Sequence, residues 1–408
     1  AGVLVPVVAL RLVYASIPGV VTLMNPGTVF HEGARPTASG YLGEAPQIVK
    51  DVESTLGQPD ALHIAYRLVD NLEFAGKERL LPLLAWIGSI WLGFAPYLLF
   101  ACVAIDFLRL GNRVFGYFPL VWAEEQKRAR VRMTTAAVVV GVVALANVAG
   151  YVNALRVIVH RVNIAVNKPF EPARLRIAMA SDIHLGTIVS AKRLAPIVAA
   201  LNAQQADLVL LPGDIVDEHL RPRTHLEICR LLDSIESRLG VYGSTGNHEF
   251  IVGIDKTIPF LEACGITMLR DRVIETDDGF YLAGRDDRSR ERLGKSAAGG
   301  RAPLFEILAG IDRSRPIILM DHTPMDLDAA RNAKIDLQVS GHTHNAQLWP
   351  FQLVTGLIYE QDYGFLRKGD THYYVSCGAG IWGPPIRTNS VSEVVVIDVS
   401  FRNNAEAR

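Results

Sequence analysis

Two stretches without a single charged side chain limit what this chain can become. Leu80 to Ile105, LLPLLAWIGSIWLGFAPYLLFACVAI, and Met133 to Leu155, MTTAAVVVGVVALANVAGYVNAL, are each longer than the roughly 20 apolar residues that cross a bilayer. A buried core helix is the competing reading, but uncharged runs of this length favour a span. The opening stretch, VLVPVVALRLVYASIPGVVTLM, is a third candidate over about 1–24. Arg11 weakens it, since a charge at bilayer depth costs roughly 2.5–3.5 kcal/mol, and Pro6 and Pro18 would bend the helix.

Composition matters here because half of the 408 residues are hydrophobic and the excess lies in the first 155. The expected organisation is therefore a membrane region over 1–155, with helices at about 1–24, 80–105 and 133–155, and a second domain over 156–408. Residues 25–79 read as a polar loop with one amphipathic helix near DALHIAYRLVDNLEF. The loop between the last two spans carries Arg113, Lys127, Arg128, Arg130 and Arg132 against Glu124 and Glu125. The positive-inside rule puts that loop in the cytoplasm, making a multi-pass cell-membrane protein with an extracytoplasmic second domain. Arg156, Arg161, Lys168, Arg174 and Arg176 follow the last span and oppose that bias. The chain starts at Ala1 and not Met, which leaves open whether residues precede it. Asp106, beside Arg109, reads as a membrane-interface residue.

From Arg156 the texture changes. RVIVHRVNIAV alternates as a strand does, and apolar β-branched runs then alternate with helical segments such as SAKRLAPIVAALNAQQA. That order predicts an α/β domain with buried strands. The four cysteines (Cys102, Cys229, Cys264, Cys377) show no metal-knot spacing and read as ordinary buried thiols. RDDRSRERLGKSAAGGRA, 285–302, reads as a charged surface loop.

Five short strands each end in side chains able to bind metal. LRIAMA runs into Asp182 and His184, DLVLLP into Asp214 and Asp217, and GVYGST into Asn247, His248 and Glu249. PIILMD runs into His322, and KIDLQVS into His342 and His344. In an α/β sheet, ligands bind beyond the carboxyl ends of strands, so these groups converge on one rim. Carboxylate, imidazole and one amide oxygen suit borderline divalent ions such as Mn²⁺, Fe²⁺ or Zn²⁺. Seven donors exceed what one tetrahedral ion takes, and a carboxylate can bridge two ions. Two such ions outweigh two aspartates, leaving a positive site that draws an anionic phosphoester.

The ordered set DxHxG, GDxxD, GNHE, a strand-borne His and GHxH resembles the calcineurin-like metallophosphoesterases over roughly 172–400. QLWP after the last histidine, and YYVSCGAGIWGPPIR at 373–387, resemble the membrane-anchored bacterial branch. The resemblance implies a four-layer αββα sandwich preceded by the α-helical transmembrane region. It implies a first metal on Asp182, His184 and His344, a second on Asn247, His322 and His342, and Asp214 bridging. It also implies His248 as the proton donor to the leaving group, with Glu249 orienting or tuning it; Asp217 reads as structural. Substrate-binding residues are not read from the sequence, although Arg387 and Trp382 are cleft candidates that read more simply as a surface salt bridge and a packing aromatic. Asn345 and Ala346 stand where this branch has two glycines, which touches loop geometry and substrate fit. Cys377, His160, His219, His225 and His372 read as packing or surface residues.

The expected activity is hydrolysis of a phosphoester or pyrophosphate bond in a lipid-linked or nucleotide-linked substrate presented at the lipid bilayer. Cleavage of nucleotide-linked diacylglucosamine precursors, which the resemblance also brings in, demands a cytoplasmic face and conflicts with the charge bias. A membrane-bound metal-binding or scaffolding protein of the same fold without turnover is the alternative. The net charge of −1 and the lack of a Lys/Arg cluster near the motifs argue against a nucleic acid polymer.

Overall fold

The computed structural model describes residues 59–116, 125–218, 222–293 and 300–402. The candidate span at 1–24 and His219 lie outside them. Helix α1 covers Pro59–Phe115 and α2 covers Glu125–Ala154. The separate amphipathic helix expected within a loop is instead the first part of α1. The intervening sequence LEFAGKERLL is rich in strong helix formers, and its one glycine does not break the run. Leu80–Phe115 and Glu125–Ala154 are both long and apolar enough to cross a membrane, and most of their apolar side chains are exposed. In α2 the buried residues are Val143, Asn147, Gly150 and Ala154, a stripe at helical spacing. Close approach requires glycine here: a Cβ at Gly93 would lie 2.6 Å from Asn147 Oδ1, and one at Gly150 would lie 2.9 Å from the Thr388 methyl.

The following domain is built on two six-stranded sheets. β1 (Val157–Val166), β2 (Arg174–Met179), β3 (Leu208–Pro212), β4 (Val241–Ser244), β5 (Thr267–Met268) and β12 (Ser392–Phe401) form the first, in the order β1-β12-β2-β3-β4-β5. β6 (Arg272–Glu275), β7 (Tyr281–Gly284), β8 (Ile317–Met320), β9 (Leu337–Ser340), β10 (Gly364–Lys368) and β11 (Thr371–Val375) form the second, in the order β10-β11-β9-β8-β7-β6. β2 to β5 pair in parallel, as do β7, β8, β9 and β11. β12 runs antiparallel to β2 and parallel to β1.

Strand alternation sorts the side chains into three cores. Ile177, Met179, Leu208 and Leu210 meet Leu282, Ile318, Met320 and Val339 between the sheets. Ala178, Val209 and Leu211 face the other way, onto helices α3 (Ala191–Asn202), α4 (Pro222–Asp233) and α6 (Ile254–Ala263), through Leu194, Ile197, Ile228 and Leu261. Ala283, Ile317 and Leu319 pack on Leu304, Ile307 and on Leu327 of α7 (Leu327–Asn332). Both faces of each sheet are thus covered, which is the four-layer αββα sandwich. The parallel strands direct all their carboxyl ends to one edge, where the site forms.

Two expectations are corrected. Cys229 and Cys264 are joined by a disulfide rather than left as thiols, because α4 and α6 lie side by side and bring residues 35 apart to a Cα–Cα distance of 4.8 Å. Cys377 is a buried thiol and Cys102 an exposed one. The 285–302 segment is not a surface loop at its start: Arg285, Asp286, Asp287 and Ser289 are buried. Their charges are satisfied internally, with Asp286 accepting from Arg270 at 2.9 and 2.8 Å, Arg290 at 3.0 Å and Thr245 at 3.0 Å. Residues 294–299 lie outside the described residues.

Candidate metal centre

Each donor sits in the turn leaving a strand, and the turns adopt backbone that most residues avoid. Asp182 (φ 52°), His184 (φ 54°), Asp214 (φ 51°), His342 (φ 73°) and His344 (φ 52°) are all left-handed. Such strain persists only where surrounding contacts enforce it, and it concentrates at functional sites. The contacts are explicit. The backbone N–H of His342 donates to Asp182 Oδ1 at 2.9 Å, and that of His248 to Asp214 Oδ1 at 2.8 Å. Neighbouring turns approach so closely that a Cβ at Gly341 would lie 2.1 Å from Asp182 Oδ2, and one at Gly246 2.2 Å from Asp214 Oδ1. Asn345 and Ala346, in place of the two glycines, take φ of 47° and 57° and so carry the left-handed turn with side chains attached.

The donor atoms fall into two groups sharing Asp214. On one side, His184 Nε2 lies 3.0 Å from His344 Nε2, and His344 Nε2 lies 3.5 Å from Asp182 Oδ1. On the other, His322 Nε2 lies 3.1 Å from Asp214 Oδ2, and His342 Nδ1 lies 2.8 Å from Asn247 Oδ1. Asp214 Oδ2 also lies 3.8 Å from His184 Nε2, so one carboxylate faces both groups. All seven residues expected from sequence are therefore brought together.

The residues present fit divalent ions. His322 Nδ1 donates to the carbonyl of Pro212 at 2.8 Å, which turns Nε2 toward Asp214. Burial lowers the His322 pKa, but the charges of Asp214, Asp182 and Asp287 push it well above its ordinary value, so a bound ion would replace the Nε2 proton. His322 Nε2 and Asp182 Oδ2 are buried without a hydrogen-bond partner. Two nitrogens about 2.1 Å from a shared ion stand about 3.0–3.4 Å apart, which matches the His184–His344 spacing. Burial and the charges of His184 and Arg387 push the His344 imidazole well below its ordinary pKa, keeping it neutral as a ligand must be. Burial raises the pKa of Asp214, but the imidazoles of His322, His248 and His184 outweigh it and hold the carboxylate ionised.

The two expected catalytic residues part company. His248 is buried at the start of α5 (Asn247–Val252), with Nδ1 against Asp217 Oδ1 and its ring edge-on to His184 at 4.7 Å. Burial lowers its pKa, yet the bond to Asp217 and the charges of Asp214, Asp217 and Glu249 push it up to about 9. Glu249 does not touch that ring. Fully buried, it accepts the N–H groups of Ile215 at 2.8 Å and Val216 at 3.0 Å on one oxygen, and of Gly246 at 2.7 Å and Asp214 at 3.0 Å on the other. It is a clamp on the turn that presents Asp214. Asp217 is the group that orients His248, and it also lies 3.4 Å from His184 Nδ1. Its place at the end of GDxxD was the available signal.

Arg387 is neither a surface ion pair nor a cleft residue. Completely buried, it donates to the carbonyls of Gly380 at 2.6 Å and Gly378 at 3.2 Å, with its Nη2 3.4 Å from His344 Nδ1. Trp382 is not packed: it is 55% exposed, with its ring centroid 6.2 Å from that of His248. Among the remaining histidines, His160 bonds Glu393 at 2.6 Å, His225 stacks on Phe260, and His372 is buried against Asp336.

The sequence resembles those of known proteins. The family model for the calcineurin-like phosphoesterases matches residues 175–346, which contain every donor named above. An uncharacterized metallophosphoesterase of Aquifex aeolicus is 29% identical over 248 residues, 60% of this chain and 93% of its own. One from Helicobacter pylori is 31% identical over 57% of this chain and 61% of its own. A zebrafish (Danio rerio) protein called a transmembrane protein with metallophosphoesterase domain is 33% identical over 55% of this chain. The match spans only 52% of that zebrafish protein. With the sandwich, the two donor groups and the shared aspartate in place, residues 175–346 form a calcineurin-like metallophosphoesterase domain.

Proposed function

We propose that the chain is a membrane-anchored phosphoesterase that uses two divalent ions to hydrolyse a phosphoester or pyrophosphate bond in a substrate presented at the bilayer. The observation that carries this reading is Asp214, whose Oδ2 faces His322 at 3.1 Å and His184 at 3.8 Å, one from each donor group. Asp182, His184 and His344 would hold one ion, and Asn247, His322 and His342 the other. Ions held there supply Lewis acidity and lower the pKa of water. The protein's own residues do the rest. His248, kept protonated by Asp217, gives its proton to the leaving-group oxygen, and Asp217 stabilises the imidazolium before transfer. Glu249 keeps the Asp214 turn in register. Mn²⁺, Fe²⁺ and Zn²⁺ all suit the donor set.

The reading includes α1 and α2 as the anchor over 1–155 and the metallophosphoesterase domain over 156–408. The bases between the spans favour an outer location for the domain. The Cys229–Cys264 bond supports the same side, because disulfides persist in oxidising compartments. Hydrolysis of bis-p-nitrophenyl phosphate and p-nitrophenyl phosphate by the full chain in detergent, with Mn²⁺ and after EDTA, tests the activity. Turnover of either ester that chelation abolishes supports the reading. Metal bound with no turnover of any phosphoester, lipid-linked ones included, would point to the binding-protein alternative.

A further inference from the structure

We infer that the segment between Trp349 and Ile358, with Trp382, is a further membrane-binding element that seats in the lipid leaflet beside the metal centre. The inference rests on the membrane reading of α1 and α2. Helix α8 (Gln352–Ile358) has no buried residue. Leu353 is 66%, Val354 51%, Leu357 87% and Ile358 57% exposed, and these positions share one helical face. No Asp, Glu, Lys or Arg occurs between Gly341 and Tyr359. An apolar face of this kind on a folded domain marks a contact surface.

The opposite face is polar and tied to the metal loop. Thr355 Oγ1 donates to Asp362 Oδ2 at 2.7 Å, and the Asp362 carbonyl accepts from Thr343 Oγ1, between the two GHxH histidines, at 2.5 Å. The apolar face is therefore held outward by the same loop that positions His342 and His344.

Its occupant follows from what lies next to it. The N–H of Trp349 donates to Thr388 Oγ1 at 3.0 Å, and that hydroxyl also bonds Tyr97 in α1. The Thr388 methyl packs on Gly150 of α2. The Arg387 N–H donates to the Gly150 carbonyl at 3.0 Å, and Asn153 Nδ2 donates to the Arg387 carbonyl at 2.9 Å. Gln347 Nε2 pins the carbonyls of Trp382 and Pro384 at 2.9 Å each. The turn that bears these bonds thus meets α2 within its last four residues before Ala154, inside the apolar run Met133–Leu155. A bilayer crossed by α2 reaches this level. The exposed leucines and two tryptophans then lie where interfacial helices and aromatic belts lie. Because Trp382 stands beside His248, the mouth of the site faces the headgroups, and the substrate class is an amphiphilic phosphoester taken from the leaflet.

The test places an environment-sensitive fluorophore at Leu357→Cys in a Cys102→Ser full-length chain reconstituted in liposomes, with the same label at Val142→Cys, an exposed position on α2, as reference. The expected result at 357 is a blue-shifted emission, quenching by nitroxide on lipid acyl chains and protection from aqueous iodide. Iodide quenching without nitroxide quenching at 357, with 142 still quenched by lipid, would overturn the inference alone. Protection at 357 from both quenchers would assign the face to a second copy of the chain and overturn it as well. Loss of lipid quenching at 142 would overturn it together with the membrane reading, leaving the metal chemistry untouched.

Discussion

Glu249→Ala removes the acceptor for four backbone donors at once. Asp214, Ile215, Val216 and Gly246 all point N–H groups at its carboxylate from 2.7 to 3.0 Å, with no solvent access. An orphaned buried donor costs about 1–3 kcal/mol. The space left by the side chain admits water, which satisfies about two of the four. Loss of the repulsion between Glu249 and Asp214 returns part of the cost. The net expectation is a loss of about 2–5 kcal/mol, a large share of a typical stability of about 5–15 kcal/mol. Glu249→Gln keeps one oxygen for two donors but turns an NH₂ toward the other two, so its loss is intermediate. The assay is urea unfolding of the metal-free full chain in detergent, followed by near-UV circular dichroism, with bound metal counted on the folded protein. Lower midpoints in the order wild type, Gln, Ala, with metal content falling in step, are expected. An unchanged midpoint and unchanged metal content with slower turnover would refute the clamp and make Glu249 a partner of His248 in catalysis.

Asp217→Asn removes the carboxylate in direct contact with His248 that stabilises its charged form; kcat should fall about 10²-fold at saturating metal, with KM little changed. Loss of bound metal in place of that kcat effect would show that its role is to hold His184. His160, whose Nδ1 lies 2.6 Å from Glu393, has its pKa raised above 6.5 by that bond, with burial opposing. A raised folded-state pKa means that this contribution is complete below the unfolded value and is lost as pH rises through the folded one. The His160 contribution to the urea midpoint should therefore decline above about pH 6.5, and His160→Gln should make the decline shallower, leaving the part that belongs to His248.

The donors were readable because each follows an apolar strand, and parallel strands deliver their ends to one edge. The four-layer architecture followed from the family resemblance, and the alternation of residues such as Ile177 and Ala178 shows its physical basis. What escaped were charges whose meaning depends on tertiary neighbours. Glu249 and Arg387 are fully buried because backbone amides and carbonyls satisfy them, and no local pattern announces that. Asp286 and Asp287 looked solvated because their partners, Arg270, Thr245 and Thr323, are distant in sequence. The Cys229–Cys264 pair escaped for the same reason, since only the packing of α4 on α6 brings the thiols together.

The most direct test of the two-ion account is the metal content of the full chain and of Asp214→Asn, by mass spectrometry after loading with Mn²⁺ and removal of free ion. About two ions per wild-type chain are expected, because the donors form two groups. Removing the carboxylate that faces both should leave about one ion or fewer in the variant. A folded wild-type chain that holds one ion or none, or a variant that still holds two, would contradict the account.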